Sequence, residues 1–122
     1  MKNLNEIEQQ YVNAALIHSA ASANGDYRTV NKKAKELKII FKEIENNAVD
    51  KKILLVLLNH ERIAVRTWAG AHLLGLKYEI GKAEEVLQEI SRLKGNNIEE
   101  NLRIFSAKTT LDVWKKQGYL KF

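Results

Sequence analysis

Apolar residues return every third or fourth position along nearly the whole chain, and no proline interrupts them. In a helix that spacing gathers apolar side chains on one face, whereas a strand needs strict alternation. No alternating stretch of useful length occurs, so the pattern predicts an all-α protein. A chain of 122 residues buries one substantial core and little more, which makes residues 1–122 a single domain.

Polar punctuation divides the pattern into about six helices. Leu4, Ile7, Tyr11, Val12, Ala15 and Leu16 mark a first helix over about 4–23, opened by Asn3 with Glu6 three residues on and closed by Asn24-Gly25. Asp26 opens a second, to about 46, whose stripe is Tyr27, Val30, Ala34, Leu37, Phe41 and Ile44. Asp50 opens a third, to Asn59. Its run Ile53-Leu54-Leu55-Val56-Leu57-Leu58 is apolar on nearly every side and is expected to be buried on most of them. A fourth helix spans about 62–77 and a fifth about 78–94. The sixth starts behind Asn97, with Glu100 three residues on, and stops at Gly118, which leaves Tyr119 to pack back.

Composition removes whole classes of function. Without cysteine there is no disulfide, thiolate metal site or cysteine nucleophile. The first ten residues carry Asn3, Asn5, Glu6 and Glu8 and no apolar signal-peptide core. The longest apolar run is about a third of a bilayer span, so a cytoplasmic protein without membrane contact is expected. Twenty Lys and Arg against fifteen acids give a net charge of +5. The excess is spread out, nine bases to eight acids in residues 1–61 and eleven to seven in 62–122. That keeps nucleic acid as a candidate without arguing strongly for it.

Six helices in this length make three helical hairpins of about forty residues, the period of HEAT repeats. Ile53 to Leu58, the turn Asn59-His60-Glu61, then Val65-Arg66, Ala69 and Leu73 through Leu76 resemble a HEAT unit. Ala69 and Gly70 permit close helix approach, while Val65, Leu73 and Leu76 fill the seam between hairpins. Ala107, Leu111 and Trp114 echo Ala69, Leu73 and Leu76 at a distance of 38 residues, with Arg103 one place early for the Val-Arg pair. The whole chain also resembles a small bacterial family of HEAT-like proteins of unknown function, through Gly25-Asp26 with Asn31-Lys32, the Val65-Arg66 unit, and the last helix before Gly118. Several such small repeat proteins are encoded beside secreted toxins and look like immunity proteins. The resemblance implies a HEAT-like α-solenoid of three stacked antiparallel hairpins whose concave surface binds and neutralises a cognate toxin.

Catalytic chemistry finds no foothold. His18, His60 and His72 do not pair at metal-ligand spacing, and His60 and His72 read as turn and packing residues. No serine has a nucleophile-elbow context and no glycine run resembles a phosphate loop. Adjacent glutamates on a helix diverge and make no carboxylate dyad. The expectation is a non-enzyme without catalytic residues, metal or cofactor.

The candidate partner-binding residues are surface charges and tryptophans. Arg28, Lys32, Lys35, Lys38 and Lys42 fall within one arc of about 120° opposite the second helix's apolar stripe, at about 100° per residue. Ile39 sits among them, and Glu36 and Glu43 flank them. Such a face is ordinarily just solvated; read as a site, it suits an acidic protein or, second, a phosphate backbone. In HEAT-like units the arginine matching Arg66 braces the turn, although it could also bind a ligand. Glu84, Glu85 and Glu89, close to Glu79, would suit a basic nuclease toxin and equally suit a merely solvated face. Trp68 lies at the margin of the core stripe, to be buried between repeats or exposed as a hot spot. A protein partner, a toxin domain in the family picture, is the first expectation. A nucleic-acid-binding HEAT-like protein is the alternative.

Overall fold

The computed structural model describes residues 3–122. These form α1 (Leu4–Asn24), α2 (Tyr27–Glu45), α3 (Lys52–Leu57), α4 (Ile63–Leu76), α5 (Ile80–Ser91) and α6 (Ile98–Gln117), with no strand among the described residues. The class expected from the periodicity is the one observed.

Local chemistry sets the boundaries. The Asn3 side chain accepts the N–H of Asn5 at 2.8 Å, and Gly25 ends α1 in the left-handed conformation, φ 71°. Asp26 accepts the N–H of Thr29 at 3.2 Å and its hydroxyl at 2.6 Å. These bonds favour the carboxylate, so the Asp26 pKa is lowered. Asn97 accepts the N–H of Glu100 at 2.9 Å, and Gly118, φ 73°, closes α6. Three boundaries differ from expectation, one of them the end of α5, which stops at Ser91 rather than about 94. Asp50 does hold the N–H of Lys52 at 3.0 Å, but α3 is only six residues long. Lys77 and Glu79 both adopt left-handed backbone, φ 55° and 52°, so Tyr78 lies in a sharp turn and α5 starts two residues late.

Consecutive helices pack as α1 with α2, α3 with α4, and α5 with both α4 and α6. α4 also touches α6, and α1 lies against α3, α4 and α6. α4, α5 and α6 are in mutual contact, and α1 packs on both α4 and α6. α2 packs chiefly on α1, and its Phe41 reaches His72 of α4, ring centre to ring centre 4.7 Å. The core runs through this stack: Tyr11 and Ala15 of α1, Leu37 of α2, Leu54 of α3, Leu73 and Leu74 of α4, Leu87 of α5 and Ala107 of α6 are all fully buried. A Cβ at Gly70 would come within 2.9 Å of the Leu87 side chain, so the small residue there sets the α4–α5 approach. Val65 and Leu73 are buried as expected, while Leu76 is half-buried.

Four apolar expectations fail. Tyr27 is 77% exposed because it opens α2 beside the turn where α1 has already ended. Val30 and Ala34 are half-buried, and Ile40 joins the buried side instead. The α3 run is buried on most sides as expected, at Ile53, Leu54, Leu57 and Leu58, and Val56, 60% exposed, marks its open outer side. Tyr119 is 44% exposed; Leu120 and Phe122 pack back in its place. Among the described residues, no helix is long and apolar enough to cross a membrane.

Candidate functional site

The α2 ridge stands where helical spacing placed it. Arg28, Lys32, Lys35, Lys38 and Lys42 are all exposed. Lys42 pairs with Glu45 at 3.2 Å. Among the described residues the other four have no ion pair or hydrogen bond. Of the flanking acids, Glu36 is ion-paired with Lys33 at 3.0 Å and Glu43 is engaged as well. Ile39 is 58% exposed within the ridge.

The acidic candidates divide. Glu84 is half-buried and accepts the indole N–H of Trp114 at 2.9 Å, so it ties α5 to α6. Glu85 and Glu89 are exposed on α5, beside a groove against Leu55 and Leu58. Glu79 pairs with Lys82 at 3.1 Å. The basic candidates thus stand on α2 and the acidic ones on α5.

Arg66 and Trp68 are occupied inside the fold. The Arg66 guanidinium donates to the carbonyls of His60 at 3.0 Å and Glu61 at 3.4 Å, bracing the α3–α4 turn. Nδ1 of His60 accepts the N–H of Arg62 at 3.0 Å. Trp68 is half-buried, with His18 edge-on at 5.1 Å and His72 at 5.5 Å. It is a packing residue between α1 and α4.

Periodicity did not reveal the polar seam around that tryptophan. His72 is fully buried, 2.7 Å from the Tyr11 hydroxyl through Nδ1. The phenol has no other acceptor, so it donates and leaves the imidazole proton on Nε2. Nε2 has no hydrogen-bond partner; Phe41 and Phe122 lie 4.7 and 4.8 Å from the ring. Burial lowers the His72 pKa to about 3 and raises that of Tyr11 well above 10. Burial and then the charge of Arg103 lower the pKa of His18. Arg103 is only 7% exposed and its Nε lacks an acceptor. Burial lowers its pKa, against the opposing pull of Glu99 one turn earlier. The sequence signals were Tyr11 within an apolar stripe and an arginine out of register; neither specifies a burial depth.

No group of three or more metal-ligating side chains occurs among the described residues. The chain matches no protein-family profile, no curated protein and no solved structure.

Proposed function

We propose that this chain is a non-enzymatic, cytoplasmic protein-binding module built as a three-hairpin HEAT-like stack. Its role is that of an immunity-type protein, which neutralises a toxin by occupying it. The pairing of α1 with α2, α3 with α4 and α5 with α6 supports the hairpin reading, and the Arg66 brace supports the HEAT-like unit. The fold closes on itself more than a linear repeat array, in which each unit touches only its neighbours, because α1 reaches α6. In this reading the partner surface is the exposed face of α2 rather than an inner groove.

One observation carries the functional reading. Four exposed cations, Arg28, Lys32, Lys35 and Lys38, share a helix face and have no acidic partner among the described residues. A partner that brings carboxylates satisfies them and gains orientation and on-rate from the complementary field.

Duplex DNA is the discriminating probe, read by fluorescence anisotropy. Under the protein-binding reading, retention near about 50 mM salt is weak and sequence-blind and vanishes by about 200 mM, as counterion release requires of a few phosphate contacts. Tight binding that persists at about 200 mM, and that Lys35→Glu with Lys42→Glu abolishes, overturns this reading in favour of nucleic acid.

A further inference from the structure

The ridge is more than a row of cations. Beside the exposed Ile39 the α1–α2 seam opens into a groove of about 410 Å³. Gln10, Asn13 and Ala14 line it from α1; Lys33, Glu36, Ile39 and Ile40 line it from α2, with Lys33 and Glu36 ion-paired at 3.0 Å across its wall. Ile17, 42% exposed, follows one turn after Asn13 on α1. The surface therefore pairs an aliphatic and amide strip with a line of free ammonium and guanidinium groups.

Register decides which partner element fits both. From Arg28 to Lys42 the ridge extends about 21 Å along the helix axis. Its members recur at intervals of four, three, three and four residues. A partner helix with carboxylates at the same intervals keeps every one of them over the ridge. An adjacent row on that helix carries aliphatic side chains to Ile39 and the groove. A phosphate backbone meets the cations but leaves Ile39 without an apolar contact. An extended acidic segment turns every second side chain away.

We propose, resting on the protein-binding reading above, that the α1–α2 groove and its ridge receive an acidic amphipathic helix of the partner. Its carboxylates sit on Arg28, Lys32, Lys35 and Lys38, and its aliphatic row packs on Ile39. The first hairpin is thus a recognition surface for one helix, with charge giving the approach and Ile39 giving the register.

The test uses the full chain, isotope-labelled for amide NMR, and a synthetic helix of about 18 residues with glutamates at three-four spacing beside a leucine row. A scrambled peptide of equal composition and a DNA duplex serve as comparison probes. The expected result is amide shifts confined to residues 10–17 and 28–42, and affinity about tenfold above that of the scrambled peptide. Ile39→Ser should weaken the ordered peptide about fivefold and leave the scrambled one unchanged. Lys35→Glu with Lys38→Glu should weaken both, and unchanged helical circular dichroism verifies that these surface variants fold. Equal affinity for the two peptides with no effect of Ile39→Ser overturns the helix proposal while protein binding through charge stands. Shifts elsewhere, or none, overturn the groove as the site. DNA displacing the ordered peptide at about 200 mM salt overturns the protein-binding reading itself.

Discussion

Burying His72 among aromatic rings fixes it as a neutral side chain and makes the fold answer to pH. Its pKa is lowered from 6.5 to about 3 in the fold, whereas the unfolded chain titrates normally. The unfolded state therefore binds more protons below pH 6.5, and stability falls with pH from there towards 3. Lowering pH from 8 to 5 should cost about 2 kcal/mol from this residue, with a smaller contribution of the same sign from His18. Chemical denaturation across that range checks it. Tyr11→Phe with His72→Phe, which strands no phenol, should remove most of the slope; an unchanged slope would contradict this assignment. A second residue-scale prediction concerns the tail. A Cβ on Gly75 would lie 2.6 Å from the Phe122 ring. Gly75→Ala should therefore be less favourable in the wild type than in a Phe122→Ala background by about 1 kcal/mol, the strain of overpacking against the ring, since the helix preference for alanine is common to both backgrounds and cancels. Equal effects in the two backgrounds would show that Phe122 does not rest on α4.

Among the elements, α4 is packed on several sides, with contacts to α1, α3, α5 and α6. Leu57 and Leu73 are 1% and 0% exposed, so replacing either with alanine should cost about 2–5 kcal/mol through lost burial and the cavity left behind. An unfolding midpoint unchanged in both variants would remove the middle hairpin from the centre of the fold. The six helices were legible in the sequence because period and caps are local: Asp26, Asn97, Gly25 and Gly118 do what their types predict. The ridge was legible for the same reason, since one helix's geometry places five side chains. The start of α5 was not, because Lys77 and Glu79 take left-handed backbone that their residue types do not announce. The occupation of Glu84 by Trp114, and the burial of His72 and Arg103, depend on which helices meet. Spacing within one helix carries no such information.

At the scale of the molecule, the contact of α1 with α6 ties the first hairpin to the last, and unfolding should be a single transition. Trp68 reports the α1–α4 contact and Trp114 the α5–α6 contact. In single-tryptophan variants the two fluorescence midpoints should coincide with each other and with loss of helix. Separate midpoints would mean hairpins that melt independently. The basic ridge stands on α2, and Glu85 and Glu89 stand exposed on α5, so the acidic group serves as a second position against which the ridge is tested as the partner surface. The most direct measurement places a photo-crosslinking residue at Ile39 or, in a parallel variant, at Glu85, in the protein's own cells. The expected result is a discrete protein adduct from position 39 that resists nuclease, is lost with Lys35→Glu and Lys38→Glu, and has no counterpart from position 85. An adduct from position 85 alone, or one from position 39 that nuclease removes, would contradict the α2 ridge as a protein-binding face.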